Sequence, residues 1–221
     1  MDSSLLAQLI LYGLAAAVAA PVGAVVSAVI LSKSKRPIAG VLVFTAGALL
    51  LDVVIVVIVL ASGAFGGGGD AGAYLDVLLG VLFALLGVLA VFQKESPEKE
   101  AARRARVDSI AVAKLAMLFV AGIAVQVINF DAIAVMGGGL KEIVEANLGG
   151  GEEVGATVFL LALMLIPYYV PAVMYALAPQ RAGKMLTAMT EWIVSNSRRV
   201  EIVTGLAFGV LFLWKGLAVL L

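Results

Sequence analysis

Gln126-Val127-Ile128-Asn129-Phe130-Asp131 sets two amides and a carboxylate inside an otherwise apolar run from Ile110 to Met136. At the centre of a bilayer an ionisable group costs about 3 kcal/mol on insertion scales, and more by simulation. A chain that keeps Asp131 at such a depth has to give it a partner, a water-filled cavity or a ligand. The first half of the sequence carries a counterpart, Ala20-Pro21-Val22-Gly23-Ala24. The remaining sequence reads as scaffold around these two interruptions.

The 221 residues are 63% hydrophobic and 14% charged, with a mean hydropathy of +1.12. A soluble domain of this size has no interior able to hide that much apolar surface. The expectation is therefore an all-α, polytopic membrane protein, one integral domain over residues 1–221. Basic and acidic residues balance at fifteen each, so charge names no partner, and nothing points to nucleic acid. The absence of cysteine excludes disulfides, thiol redox chemistry and haem attachment, and with them a membrane thiol-disulfide carrier. The absence of histidine removes the commonest transition-metal ligand. No cofactor is expected, and no nucleophile–base constellation suggests an enzyme. The first apolar run lacks a basic n-region and is too long for a signal peptide, so it reads as a retained span.

About 20 apolar residues cross a bilayer. Six runs qualify, roughly 4–31, 37–62, 73–92, 109–136, 154–178 and 200–221. Lys33, Lys35 and Arg36 follow the first; Lys94, Lys99, Arg103, Arg104 and Arg106 follow the third; Arg181, Lys184, Arg198 and Arg199 follow the fifth. Twelve of the fifteen basic residues then fall on one side. The positive-inside rule makes that side cytoplasmic, in a plasma-membrane protein with both termini outside. Lys141 falls in the opposite set of connections, and Lys114 and Lys215 lie near span ends, from which they can snorkel. Gly66-Gly67-Gly68-Gly69 lacks the lysine and strand–helix context of a phosphate loop and reads as an external turn. Residues 93–108 read as a cytoplasmic linker containing a short helix. Met185, Leu186, Met189, Trp192 and Ile193 recur at helical spacing, predicting an interfacial helix over 181–199 with Trp192 at headgroup level.

An internal repeat links residues 1–92 to 109–221. Gly80-Val81-Leu82-Phe83 and Gly87 recur as Gly209-Val210-Leu211-Phe212 and Gly216, all at one offset of 129. Pro21-Val22-Gly23-Ala24 aligns with Asn129-Phe130-Asp131-Ala132 in the first span of the other half. Three spans per repeat is an odd number, so the halves must insert upside down, as a 3+3 inverted repeat with broken helices one and four. Pro21 removes a backbone donor, and Gly23 permits close approach. Asn129 and Asp131 compete for backbone hydrogen bonds, which predicts a break at 128–131 with one of them capping the next segment. Asp52 is a second intramembrane carboxylate, either a proton or cation site or a structural hydrogen bond. Lys114 or Asn129 would be its partners. Pro167-Tyr168-Tyr169-Val170-Pro171 predicts a kink in span five, lining a cavity or merely packing. Gly205 and Gly209 predict close helix packing.

These motifs resemble the LysE transporter superfamily: six spans, an inverted repeat and a Pro-Gly interruption, here Pro21-Val22-Gly23. The second half is similar to the branch of peptidoglycolipid- or sulfolipid-addressing proteins, through Ile166-Pro167 to Pro171, Tyr175 to Pro179, Glu191-Trp192-Ile193, Arg198-Arg199, and Gly209 to Leu217. The family's Asn-Pro-Lys-like turn in span four is Asn129-Phe130-Asp131 here, an anion where that turn has a cation. The resemblance implies export of a lipid, glycolipid or small amphipathic solute, in contact with membrane lipids. Asp131, Asn129, Asp52, Gln126, Pro21, Gly23 and Tyr168 are the candidate substrate- or ion-binding residues. Without a nucleotide motif, energy has to come from an ion gradient, a partner or the substrate's own gradient, with Asp52 or Asp131 carrying the proton. An amino-acid or cation exporter of the same superfamily is the alternative. An accessory partner of a larger lipid-export machine is another, and a homodimer stays open.

Overall fold

The computed structural model describes residues 2–62, 70–92 and 113–220, with isolated positions between them. Gly66 to Gly69 and most of the 93–108 linker lie outside the described residues. Among the described residues ten α-helices and no strands occur: α1 (Ser3–Ala19), α2 (Pro21–Lys33), α3 (Pro37–Ser62), α4 (Asp70–Phe92), α5 (Leu115–Ile128), α6 (Phe130–Glu145), α7 (Gly150–Met164), α8 (Ile166–Leu177), α9 (Pro179–Ser195) and α10 (Ser197–Leu220).

Among the described residues, only Pro37–Leu60 within α3 is by itself long and apolar enough to cross a membrane. Three further candidates are bent pairs: α1 with α2 at 62°, α5 with α6 at 75°, and α7 with α8 at 68°. Counting each pair as one span gives four. Gly80–Phe92 and Gly205–Ala218 are shorter apolar helices. The outer surface is apolar, with Val57, Ile58, Val127, Phe92 and Trp214 all exposed, as helices facing hydrocarbon require.

Each bend has a local cause. Pro21 offers no N–H to the Ala17 carbonyl, and its ring would crowd that group. Ala20 leaves the helical region at φ −108°, ψ 50°, and its own N–H takes the Ala17 carbonyl at 3.3 Å. Asn129 breaks the second pair without a proline, at φ −82°, ψ 45°. The third break differs from expectation. The two prolines of span five suggest a kink at their own positions, yet the chain turns at Leu165 (φ −84°, ψ 3°). Pro167 is tolerated in the first turn of α8, where donors are unpaired anyway, and Pro171 is carried inside that helix. The helix expected over 181–199 runs over Pro179–Ser195 instead. It stops at Ser195, Asn196 interrupts it, and Arg198 and Arg199 belong to the first turn of α10. Lys141, expected in an outer connection, is 6% exposed within α6, with its Nζ 4.0 Å from Glu145 Oε1.

α1 packs against α6 and α7, α2 against α3, α8 and α9, and α3 against α5 and α8. α3 and α5 cross so closely that a Cβ on Gly47 would lie 2.0 Å from the Phe119 carbonyl oxygen, and one on Gly122 2.0 Å from that of Phe44. α4 pairs antiparallel with α10. Gly80 faces Leu213, Gly209 faces Ala84, Gly87 faces Leu206 and Gly216 faces Val77, each at a distance that admits no side chain. Gly205 and Gly209 thus serve helix packing inside one chain. Phe83 and Phe212 stack with centroids 5.8 Å apart, and Tyr12 of α1 lies 6.4 Å from Phe212. Arg198 donates through Nε to the Ala90 carbonyl at 3.0 Å and through Nη2 to that of Val91, satisfying two carbonyls at the end of α4.

A buried polar network at the helix breaks

Four side chains from distant parts of the sequence form one hydrogen-bonded line. Asn129 Nδ2 donates to Tyr168 Oη at 2.9 Å, Tyr168 Oη donates to Gln126 Oε1 at 2.5 Å, and Gln126 Nε2 donates to Asp52 Oδ1 at 2.7 Å. Asp52, Gln126 and Tyr168 are wholly buried and Asn129 nearly so. The N–H and O–H bonds all point towards Asp52. In a low-dielectric interior such a chain polarises along its length, and losing one member strands the others.

Three helices supply the line. Asp52 stands in the aliphatic middle of α3, Gln126 in the last turn of α5, and Asn129 at the break itself. Tyr168 is in the first turn of α8, three residues past Leu165. Its ring lies over Gly23 in the first turn of α2, where a Cβ would come within 2.6 Å of Cε2 and Cζ. The same ring stacks on Phe44 of α3, centroids 5.5 Å apart and planes at 25°. Tyr168 therefore touches all three interruptions: the one before Gly23 by packing, the one at Asn129 by a hydrogen bond, and the one at Leu165 by sequence.

Of the seven candidate residues, Asp52, Gln126, Asn129, Tyr168 and Gly23 come together, and Pro21 begins the helix on which Gly23 rides. Asp131 is half-buried in the first turn of α6, and its Oδ1 accepts from the Ala132 N–H at 2.9 Å. A carboxylate in a first helical turn also suits the helix dipole. Of the two expected caps, Asn129 occupies the cap position without a capping side-chain bond, its amide being turned to Tyr168 instead. Asp52 bonds neither Lys114 nor Asn129. Lys114 is exposed at the start of α5.

Asp52 Oδ2 has no hydrogen-bond partner among the described residues, nor do the buried hydroxyls of Ser27 and Thr45. This gives Asp52 a useful asymmetry. Oδ1 accepts from Gln126 whether or not Oδ2 carries a proton, so the group can change charge without dissolving the line. Among the described residues no three acidic side chains converge to hold a metal. Phe44 was missed from the sequence, although it is the one aromatic residue of α3.

A family model described as Sap, sulfolipid-1-addressing protein, matches residues 9–218. The chain belongs to this family. The match covers every break and every member of the polar line. Membership in the sulfolipid-1-addressing family ties the chain to lipid export or addressing, and its apolar helices make it membrane-associated. This family is not a known enzyme class. No curated protein and no solved structure matches the chain.

Proposed function

We propose that the chain is a secondary-type exporter that moves a lipid, glycolipid or small amphipathic solute out of the cytoplasmic leaflet. The observation that carries this reading is the convergence of three helix interruptions on one buried tyrosine. Broken helices near mid-membrane are how many transporters expose backbone and polar side chains to a substrate without opening them to lipid. A rotation of either half-helix pair would have to move Tyr168, and so alter the hydrogen bonds of Asn129, Gln126 and Asp52 together. Asp52 is the group suited to exchange a proton during such a cycle. Asp131, nearer the surface of α6, is suited to a polar headgroup or cation.

The six-span inverted repeat belongs to the same reading, with α4 and α10 as the two remaining spans. The α4–α10 contacts support it. At the offset of 129, Leu213 is the counterpart of Ala84, and Leu206 of Val77. The contact of Gly80 with Leu213 is then mirrored by that of Gly209 with Ala84, and Gly87 with Leu206 by Gly216 with Val77. Phe83 stacks on its own counterpart, Phe212. Reciprocal contacts of this kind are the signature of a two-fold axis between equivalent surfaces. In this reading the basic loops, and with them the ends of α2 and α9, face the cytoplasm.

The test is export in proteoliposomes, using a headgroup-labelled glycolipid and a membrane-impermeant quencher, with and without an imposed pH gradient. Asp131→Asn should abolish movement. Asp52→Asn should remove the response to the gradient while leaving slow exchange. If both variants move the lipid at the parent rate at every pH, the network is only structural. Cysteine labelling settles orientation: Gly67→Cys should react with an impermeant external reagent, and Ser34→Cys should not.

A further inference from the structure

Where α9 ends and α10 begins, Ser195, Asn196, Arg198, Arg199 and Ile202 line a half-open cavity of about 400 Å³, within the size range of small-molecule sites. The transport reading makes no use of it. Its polar groups are already held in place. Arg198 is fixed by the Ala90 and Val91 carbonyls, which use two of its five N–H donors. Arg199 Nη1 donates to Asn196 Oδ1 at 3.3 Å, and Asn196 Nδ2 donates to the Trp192 carbonyl at 2.9 Å and to Ser195 Oγ at 3.2 Å. No acidic side chain is bonded to either arginine among the described residues. The Ser195 hydroxyl is spent on the Trp192 carbonyl at 3.1 Å, but the guanidiniums of two consecutive arginines with most of their donors unused, beside the apolar Ile202, are suited to a tetrahedral oxyanion attached to an apolar body.

The depth fits as well. Trp192, 60% exposed, lies one turn before Asn196, and an exposed tryptophan on an amphipathic helix sits at the headgroup level of a bilayer. We propose that this cavity is a second ligand site, binding the phosphate or sulfate ester of an anionic lipid headgroup at the membrane surface. It stands on the cavity's own residues and holds whether or not the central network transports anything.

Trp192 supplies the probe. The chain has two tryptophans, and Trp214→Phe, at a lipid-exposed position on α10, leaves Trp192 as the sole reporter. In phosphatidylcholine vesicles containing a minor fraction of brominated phosphatidylglycerol, Trp192 should be quenched more than with the same fraction of brominated phosphatidylcholine. Arg199→Gln removes charge-assisted hydrogen bonds to the oxyanion rather than one surface charge among several, so it should weaken the preference at least about tenfold. Arg199→Lys should restore part of it. Arg181→Gln and Lys184→Gln remove exposed cations from the other end of α9 and should leave it unchanged. Added inorganic phosphate distinguishes the sources: preference that persists in excess phosphate assigns the site to the lipid headgroup, and preference that vanishes assigns it to the free oxyanion. Equal quenching by both lipids overturns the proposal. So does an Arg199→Gln protein that keeps its preference, or an Arg181→Gln protein that loses as much, since surface charge alone would then explain the binding. Gel filtration of each variant confirms that the chain stays folded.

Discussion

Replacing Gly23 by alanine should be among the most damaging small changes available to this chain. The added methyl would sit 2.6 Å from Cε2 and Cζ of Tyr168 and 2.9 Å from Cδ2, where carbon atoms need about 3.5–4.0 Å. The ring would have to retreat by roughly 1 Å. It has nowhere to go: Phe44 is stacked on it at 5.5 Å, and its hydroxyl is held by Gln126 and Asn129 at 2.5 and 2.9 Å. Overpacking of this kind costs about 1–3 kcal/mol. A buried amide left without its partner costs about 1–3 kcal/mol more. Against this, alanine gains at most about 1 kcal/mol of helix propensity over glycine. The net is a loss of about 3 kcal/mol, which in a chain of this size lowers Tm by about 6–12 °C. Thermal unfolding in mild detergent, followed by circular dichroism, measures it. The decisive control is the double variant with Tyr168→Leu, which removes the clashing ring atoms, so Gly23→Ala should then cost nothing further. A Gly23→Ala protein as stable as the parent, or costs that simply add, would refute the packing argument.

Four other outcomes follow from the structure. Tyr168→Phe keeps the ring but strands the amides of Gln126 and Asn129, so it should destabilise by about 2–4 kcal/mol in the same unfolding assay and reduce export more than it reduces folded yield. Gly122→Ala places a methyl 2.0 Å from a backbone oxygen of α3 and should lower the yield of folded protein sharply. Gly183→Ala, with nothing within 4 Å, should be neutral or slightly stabilising. Asp2 begins α1 by accepting from the Leu5 N–H at 2.8 Å, and that bond holds its carboxyl below the ordinary range. Its stabilising effect is therefore complete above the unfolded value near 3.9 and is lost as pH falls through the lower folded value. Amide exchange at Leu5 should accelerate over that acidic window, and Asp2→Ala should remove the pH dependence.

The breaks of spans one and four were legible in the sequence because each has a local cause, a proline in one and competing polar side chains in the other. The break at Leu165 was harder to place, since a proline disturbs the carbonyl four residues upstream more than its own position. The prolines signalled it; the turn occurs before them. The residues of the polar line could be listed, because amides and carboxylates stand out among aliphatics, but their pairing could not. Asp52 and Gln126 are 74 positions apart, and Gln126 and Tyr168 are 42 apart. Nothing local says which intramembrane polar groups meet. Gly23 reads as a break element, whereas its second role, leaving room for a tyrosine ring, exists only in the packed chain. Either Asn129 or Asp131 read as a cap by type, and what keeps the Asn129 side chain from capping is Tyr168, which draws its amide away from the helix end.

The pairing of α4 with α10 also bears on how the protein is made. Phe92 leaves the ribosome roughly a hundred residues before Ser197, which at 5–20 residues per second is a wait of about 5–20 s. During that interval the glycine face of α4, shaped for one partner, has nothing to close on, and the carbonyls that Arg198 will later hold are without that donor. A nascent chain arrested after α9 should be a substrate for the insertion and quality-control machinery, and release of α10 should end that dependence. Biogenesis would then be gated by the emergence of α10.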